Sequence, residues 1–502
     1  MRAGARERLF RTDDTLASQA GRRAGNASVL LLIFSAVKIL IQVGAIVVLA
    51  RLVPPSDYGV AALAMPVVAI TTSISQFGLA QAFIQSKTVT HDFASALFWV
   101  NCAFGLFFSA VVAALGGPAA EFYGQPLVEP VFWVLAISNL SGALCTQYAA
   151  ILQRNMHIRT LEASNILAMV GATSIAIVAA TQGAGYWAIV LQYMMAPTLL
   201  FLLFVVTTGW LPSLPNMAAL KAAKEAMGFG GHIAIYSLIV GVSDNLGTIF
   251  AGRVFSETVA GVYHRAWTMA IIPRARAVTV LGSAFLPTAS RLQDDPKGLR
   301  ALFVRMVSRI DLIMMPIGAG MCTGSDLLVR IALGPQWTEL GPILGWMGIL
   351  CLPAACAKCC DWLIVSAGAS RALRNYGFLS FAIIVVEFSV ASRFGIEAMT
   401  ATFMLSGLLV RLPLLIWTCM RVSALNFAAV AQSFIVDILF TGVVIAAGFA
   451  LRASLPPMPA LAELAALSVL IAAAYMLRIA LSADLRQDVR TVVRRIVSRG
   501  RR

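Results

Sequence analysis

From the apolar runs of this sequence that are long enough to cross a bilayer, ten ionisable side chains are candidates for a functional site. The basic ones are Lys38, Arg265, Arg274, Arg276, Lys358 and Arg411, and the acidic ones are Asp244, Asp361, Glu387 and Asp437. A charge at membrane depth is so costly that it must face a partner or a wet cavity, or snorkel to the surface. Guanidinium and ammonium groups bind phosphate and diphosphate anions, and a carboxylate in a low-dielectric cavity can hold a proton or sodium ion reversibly. The set therefore predicts a cationic cleft for an anionic headgroup, with acids as sites for a coupling ion.

The spacing of these residues orders them on helix faces. Arg265 and Arg276 are eleven residues apart, about three turns, and share one face, whereas Arg274 lies on nearly the opposite face. Snorkelling of Arg274 toward the cytoplasmic headgroups is the alternative to a role in the cleft. Lys358 and Asp361 are three residues apart, so they either neutralise each other or contribute to the site.

A second polar face begins with the first apolar run. Lys38 and Gln42 are one turn apart on that face, and an internal repeat aligns Gln42 with Asp244. Gln42, Asp244, Asp361, Glu387 and Asp437 are the polar candidates for ion coupling.

Composition fixes the class of protein that must position these residues. Of 502 residues, 59% are apolar and 12% charged, against roughly 45–50% and about 25% in soluble proteins. The pattern excludes a soluble globular protein and predicts an all-α integral membrane protein. Because a helix needs about 20 apolar residues to cross the hydrocarbon core, we predict about 14 spans: 28–50, 60–84, 93–115, 127–151, 161–182, 186–209, 232–252, 259–285, 308–330, 341–366, 377–393, 397–419, 430–451 and 461–482.

The net charge is +15, and the basic residues are distributed unequally between the two sides of the membrane. With a cytoplasmic N-terminus, about 27 of the 38 Lys and Arg residues fall in cytoplasmic segments, which predicts an even number of spans and both termini inside. No removable signal peptide is expected. The basic charge is interpreted as attraction to anionic membrane lipid rather than to nucleic acid. Residues 484–502 have helical spacing of apolar residues and predict an amphipathic helix on the cytoplasmic leaflet, with a solvated basic tail as the alternative.

An internal repeat divides the chain. A shift of 202 residues places Arg51 on Arg253 and Gly59-Val60 on Gly261-Val262. The repeat predicts two six-helix lobes in the same orientation, with a ligand site between them. The predicted organisation is a cytoplasmic basic tail (1–27), an N-lobe (28–209), a cytoplasmic linker (210–230), a C-lobe (231–422), two further spans (423–483) and the basic tail (484–502).

The remaining chemistry argues against catalysis. The sequence has no nucleotide-binding P-loop and no His-Glu-x-x-His motif. Cys356, Cys359 and Cys360 have partial metal-ligand spacing but lie in an apolar run without a nearby histidine, so we interpret them as small hydrophobic residues. All eight cysteines lie in apolar runs, which disfavours a disulfide framework. We expect no metal, no cofactor and no enzymatic activity.

Several blocks of residues, in order between residues 25 and 425, form a recognisable pattern. One is Asp244-Asn245, followed by Ala251-Gly252-Arg253, then Gly261-Val262-Tyr263-His264-Arg265-Ala266 and then Pro273. Others are Arg51-Leu52-Val53-Pro54 with Asp57-Tyr58-Gly59, Phe122-Tyr123-Gly124, Leu152-Gln153-Arg154 with Arg159, Gly185-Tyr186-Trp187-Ala188, the block Ser290 to Pro296 and Leu333-Gly334-Pro335-Gln336-Trp337. Together these blocks resemble the Wzx-type lipid-linked oligosaccharide flippases, in the polysaccharide transporter branch of the multidrug/oligosaccharidyl-lipid/polysaccharide exporter (MOP) superfamily.

This resemblance implies two six-helix lobes around a central cavity, plus two C-terminal helices, working by alternating access. It implies transfer of an undecaprenyl-diphosphate-linked oligosaccharide across the bacterial inner membrane for exopolysaccharide, capsule or O-antigen synthesis, driven by a proton or sodium gradient. The family commonly has cavity cations on the first and eighth spans, where Lys38 and Arg265 stand here. It places Asn245 among the polar candidates beside Asp244. Further expected partners are a polysaccharide polymerase and a chain-length regulator.

Three alternatives stay open at this point. A drug exporter of the same superfamily predicts a more aromatic and less cationic cleft. A lipid II flippase differs only in the headgroup that it moves. A membrane-embedded glycan polymerase or acyltransferase predicts a cluster of His, Asp or Arg in an outer loop, and this sequence has no external loop longer than about fifteen residues by the same span reading.

Overall fold

The computed structural model describes residues 15–75, 80, 83, 84, 86, 89–214, 231–292, 295–423, 427–482 and 485–487. Side chains are described for these residues except 15–29, 31, 32, 73–75, 231–234, 275–284, 286, 287 and 427–433. The predictions for residues 1–14, for the linker from 215 to 230 and for most of the tail from 484 to 502 lie outside the described residues. The side chain of Arg276 does as well.

Long helices account for most of the described chain. They are α1 (Thr15–Leu52), α2 (Pro55–Ser75), α3 (His91–Ala114), α4 (Gly116–Tyr123), α5 (Val128–Arg154), α6 (Ile158–Thr181), α7 (Tyr186–Thr208), α8 (Gly231–Val254), α9 (Glu257–Arg291), α10 (Pro296–Ala332), α11 (Leu340–Met347), α12 (Ala354–Ser366), α13 (Ser370–Ala391), α14 (Ile396–Ser406), α15 (Leu412–Val422), α16 (Phe427–Ser454) and α17 (Ala460–Leu481). Short 3₁₀ turns lie at Pro335–Trp337, Gly348–Cys351 and Ser392–Phe394, and a π-helical segment at Gly407–Arg411.

Eleven helices in the described ranges are long and apolar enough to cross a membrane. The pair Leu340–Cys351 and Ala354–Ser366, bent by 46°, makes a twelfth if it forms one span. The number of about 14 spans is therefore not confirmed. The other two predicted spans, 60–84 and 259–285, overlap α2 and α9. Residues 76–79, which follow α2, are not described. The helix α9 contains charged residues such as Arg265 and Arg274.

Helix breaks follow from local backbone chemistry. α4 and α7 end at Gly124 and Gly209, whose positive φ angles of 66° and 58° provide left-handed caps. The bend before α12 falls at Pro353, because proline has no N–H for the helical ladder. These breaks permit the short connections between consecutive spans, such as residues 182–185 between α6 and α7.

The chain forms two compact units, residues 1–261 and 262–502. In the first unit α5 packs against α3 and α7, α6 against α1 and α7, and α2 against α8. In the second unit α10 is the central helix, packed against α11, α12, α16 and α17. The predicted lobes 28–209 and 231–422 stay a prediction.

Two glycines of the internal repeat pack directly against each other in the first unit. A β-carbon at Gly261 would lie 2.7 Å from the backbone nitrogen of Gly59, and one at Gly59 would overlap the carbonyl oxygen of Glu257. The first turns of α2 and α9 can approach this closely only because neither position has a side chain. The repeat motif thus marks a backbone crossing rather than a ligand-binding residue.

We expect Gly59→Ala to lower the free energy of unfolding by about 1–3 kcal/mol, because the added methyl must displace backbone atoms. The matched control is Gly44→Ala in α1, where nothing lies within 4 Å of the added carbon. Thermal unfolding of the full chain in detergent measures both. Equal unfolding temperatures for the two variants would contradict the close crossing.

Candidate functional site

Lys38 is held by an acid of a neighbouring helix. Its ammonium group on α1 forms an ion pair with the Glu162 carboxylate on α6, and the two side chains are only 16% and 12% exposed. Within the membrane interior this pairing neutralises both charges and fastens α1 to α6. Lys38 is therefore engaged by the protein itself in this structure.

The other polar candidates of the first unit lie along α1 and α8. Gln42 and Asp244 are half-buried. Asn245, also half-buried, donates from its Nδ2 to the carbonyl oxygen of Gly241 on its own helix at 2.8 Å. The amide of Asn245 thus caps its own helical backbone, as polar side chains in membrane helices often do.

The first unit also buries two amides that the sequence analysis did not single out. Asn101 on α3 and Gln147 on α5 are fully buried, and neither side chain has a hydrogen-bond partner within the described ranges. Gly105 contacts Ala143, so one turn further along each antiparallel helix Asn101 and Gln147 lie at the same level. Buried amides in this state can bind a water molecule or a ligand hydroxyl group.

Arg265 lies in the interior of the second unit. Its side chain on α9 is 5% exposed, and its guanidinium carbon lies 5.7 Å from the ring centroid of Trp337. At this distance the guanidinium and the indole ring make a cation–π contact, which helps to hold the arginine in the apolar interior. Two sequence blocks far apart in the chain therefore meet at this contact.

A chain of alternating charges runs through α12, α13 and the π-helical segment. The Lys358 ammonium pairs with the Asp361 carboxylate at 3.0 Å. Tyr376 lies within electrostatic range of both Asp361 and Arg411, and its hydroxyl donates to the carbonyl oxygen of Arg411 at 3.2 Å. Glu387 accepts a hydrogen bond from a serine of α14 and lies within electrostatic range of Arg411. The structure thus brings together four of the predicted site residues around a tyrosine.

The guanidinium of Arg411 is fixed by its own segment. Its Nη2 donates to the carbonyl oxygen of Phe403, and its carbon lies 4.2 Å from the ring centroid of the same phenylalanine. The π-helical segment leaves unmatched backbone carbonyls, which explains why one is available at this point. Arg411 therefore stabilises an irregular stretch of helix in addition to lying near Glu387.

Arg274 and Asp437 interact with other residues. Arg274 is half-buried and lies within electrostatic range of Cys351. Asp437 on α16 is buried and forms an ion pair with Arg478 on α17. The structure therefore assigns Asp437 to the packing of the last two helices rather than to the neighbourhood of Lys358 or Arg411.

Sequence reasoning missed several further charges of the membrane-spanning helices. Glu162, Asp311, Asp326, Glu463 and Arg478 all lie inside predicted spans. Screening every predicted span for any charge would have found them, although it would not have identified their neighbours.

Arg452, near the end of α16, joins two of these acids. It binds the Asp326 carboxylate with both terminal nitrogens at 2.8 and 2.7 Å and Glu463 at 2.6 Å.

Comparison with known proteins places these features in context. A family model described as "Polysaccharide biosynthesis protein" matches residues 48–342, more than half of the chain. The chain is 24% identical over 304 residues to the lipopolysaccharide biosynthesis protein WzxC of Escherichia coli (strain K12). That match covers 59% of this chain and 60% of the length of WzxC.

Two solved structures share the fold. The lipid II flippase MurJ, in an inward closed conformation, has a TM-score of 0.67 at 10% identity and covers 89% of this chain and 97% of MurJ. An inward-facing multidrug resistance MATE family transporter of the MOP superfamily has a TM-score of 0.60 at 11% identity and covers 78% and 95%. At these identities the likeness concerns the fold alone. It confirms the predicted all-α membrane architecture.

The Lys38–Glu162 pair leads to a prediction on stability. Lys38→Met or Glu162→Met alone should lower the free energy of unfolding by about 3–5 kcal/mol, because each leaves one buried charge without its partner. The double variant should recover most of the loss, since it removes both charges. Thermal unfolding of the three purified proteins measures the coupling; additive losses would contradict a direct pair.

Proposed function

Because the chain belongs to the polysaccharide biosynthesis protein family, as a Wzx-type member of the MOP exporter superfamily, we propose that it is a flippase for a lipid-linked oligosaccharide. The substrate is an undecaprenyl-diphosphate-linked repeat unit, transferred from the cytoplasmic to the outer leaflet of the bacterial inner membrane. Transport uses alternating access coupled to an ion gradient. The product feeds exopolysaccharide, capsule or O-antigen synthesis.

The observation that carries this proposal is the buried guanidinium of Arg265. An arginine at 5% exposure inside an apolar membrane fold indicates a functional site, because a charge at that depth is costly. A diphosphate suits this residue, because charge-assisted hydrogen bonds from a guanidinium fork match phosphate oxygens geometrically. Relatives and fold neighbours that are transporters or flippases rather than enzymes support the same reading.

In the proposed cycle Lys38 makes a phosphate contact of its own through an exchange step. In the resting protein it is neutralised by Glu162. Arrival of the diphosphate lets the ammonium group exchange a carboxylate for a phosphate oxygen, and the freed Glu162 then needs a proton or another cation. Substrate binding and uptake of a cation are thereby linked through one residue pair. The lobes 28–209 and 231–422 are the proposed moving bodies.

Arg265→Ala should slow transport of the lipid-linked sugar at least about tenfold. One charge-assisted hydrogen bond contributes about 1.5–3 kcal/mol, and about 1.4 kcal/mol corresponds to a factor of ten. Arg265→Lys should slow transport less, because lysine keeps the positive charge although it lacks the forked guanidinium group. The assay uses purified protein in liposomes containing fluorescent undecaprenyl-diphosphate oligosaccharide and a membrane-impermeant quencher.

Arg371→Ala is the matched control, because it removes an exposed arginine at the start of α13. It should transport at the rate of the unmodified protein. Arg265→Ala at full rate and equal protein level would overturn the proposed headgroup site. Transport of an amphipathic drug in place of the lipid-linked sugar would instead favour a drug exporter, and transport of lipid II alone would favour that substrate.

Ion coupling gives a separate prediction. An imposed proton or sodium gradient should drive the lipid-linked sugar beyond equal distribution between the leaflets, because binding of the ion biases one opening of the transporter. An ionophore specific for the coupling ion should abolish the excess and leave equilibration intact. The same final distribution with and without either gradient would contradict coupling.

A further inference from the structure

The helices α10, α16 and α17 enclose a small polar cavity in the second unit. Its lining residues are Ser308, Asp311, Leu312, Met315, Asp437, Tyr475, Arg478 and Leu485. Around it lies an apolar cluster that includes Met315, Ala319 and Val444. The cavity therefore places titratable groups in otherwise hydrophobic packing.

The charges around this cavity do not balance. Arg478 forms its ion pair with Asp437. Asp311 is 2% exposed, and neither of its carboxylate oxygens accepts a hydrogen bond from the part of the chain that the structure describes. Two acids thus share one guanidinium, and an ionised Asp311 would be a buried anion with no donor, which is very unfavourable.

We propose that Asp311 is a proton-binding site, at which the carboxyl group takes up a proton to become neutral and releases it to water to become an anion. Its protonation state is set by the guanidinium of Arg478, which pairs with Asp437 while Asp311 is protonated. When Asp311 releases its proton, the two carboxylates compete for Arg478. If the proposed flippase function holds, Asp311 is a second ion-binding site of the transport cycle, in addition to Glu162, and it is the one that responds to a proton gradient.

The helices α12, α16 and α17, all packed against α10, contribute different groups around Asp311. Arg478 and Tyr475 on α17 and Asp437 on α16 line the cavity with it. From α12 the Cys359 thiol lies within electrostatic range of Asp311. α11 carries no titratable side chain, and Cys351 in the adjacent 3₁₀ turn interacts instead with Cys322 and Arg274. Arg478 is therefore the cation that responds to the charge on Asp311.

The lining suits a proton better than a metal cation. A metal ion needs several oxygen ligands, whereas the Tyr475 hydroxyl is already shared with Thr441 at 2.8 Å. The Arg478 guanidinium, which is paired with Asp437, also repels a second cation. A proton needs only one carboxyl oxygen, and a buried carboxyl in a membrane protein is suited to bind it.

The opposite end of the same three helices is fixed. Arg452 on α16 binds Asp326 on α10 and Glu463 on α17, and donates to the carbonyl oxygen of Thr323 at 2.8 Å. A shift of Arg478 toward Asp311 would therefore move one end of α17 against α10 while the other end stays anchored. Proton release is thereby converted into a change of helix packing.

Infrared spectroscopy of the purified full-length protein tests the proposal without any substrate. The carbonyl band of a protonated carboxylic acid should disappear as the pH rises, and Asp311→Asn should remove that titrating component. Asp326→Asn is the matched control on the same helix; its carboxylate is ion-paired, so the band should be unchanged. Identical pH titrations of the unmodified protein and Asp311→Asn would overturn the proposal.

Two further variants separate the proposal from a general loss of structure. In Arg478→Gln the infrared band of protonated carboxylic acid should grow, because Asp437 loses the cation that keeps it ionised. In Asp437→Asn the band should shrink at the same pH, because Arg478 becomes available to pair with an ionised Asp311. Loss of the band on adding sodium at constant pH would overturn a proton site in favour of a metal cation.

The liposome assay then separates this inference from the proposed function. Asp311→Asn should equilibrate the lipid-linked sugar but lose the excess driven by a proton gradient. Absence of any sugar transport by the unmodified protein, with the infrared result intact, would refute the flippase function and leave the proton site standing. Unchanged gradient-driven transport by Asp311→Asn would refute its role in coupling.

Discussion

The neutralisation of charge in an apolar interior is the constraint on which the rest of this structure depends. A cation at membrane depth must have a partner from the protein or from a ligand, and four ion pairs between helices meet that need here. Lys38 fastens α1 to α6, Arg478 fastens α17 to α16, and Arg452 fastens α16 to α10 and to α17. Helix packing by apolar contacts alone would not fix the register of these helices so closely, because lipid tails solvate apolar side chains equally well.

Ion pairs of this kind suit a transporter because they can be exchanged. An apolar contact is lost when helices separate, with nothing in the ligand to replace it. A carboxylate that is paired with a lysine, in contrast, can be replaced by a phosphate oxygen at little net cost in free energy. The same interactions that hold one arrangement of the helices can thus be transferred to a headgroup or to a proton. This property links the stability of the protein to its proposed function.

The positions of the helices could be predicted from the sequence, whereas the pairing of their charges could not. Apolar runs of the right length are a local signal, and helices lie where the runs predict them, including the short connection at residues 182–185. The number of about 14 spans stays unconfirmed because charged residues in α9 weaken the apolar signal of an otherwise continuous helix. A repeat detected by alignment indicated Gly59 and Gly261 as equivalent, but only the fold reveals that they touch.

The candidate site illustrates the same limit. Lys38 and Asp437 could be recognised as intramembrane charges, yet their partners Glu162 and Arg478 come from helices about 125 and 40 residues away in the chain, a choice made by tertiary packing. Lys358 and Asp361 are the exception, because a spacing of three residues on one helix is itself a local signal. Spacing placed Arg265 and Arg274 on nearly opposite helix faces, but it could not predict that Arg265 lies against Trp337.

The π-helical segment at Gly407–Arg411 has a geometric consequence for everything that follows it in its span. Such a segment accommodates one extra residue in a helical turn, and each residue of an α-helix advances the azimuth by about 100°. Annealing of the segment into regular α-helix would rotate α15 about its own axis relative to α14 by roughly that angle. Arg411 lies at the pivot, with its guanidinium on the Phe403 carbonyl oxygen and its own carbonyl oxygen bound by Tyr376. The span thus contains a point at which α15 can rotate relative to α14, and the contacts of Arg411 hold the segment in its present form.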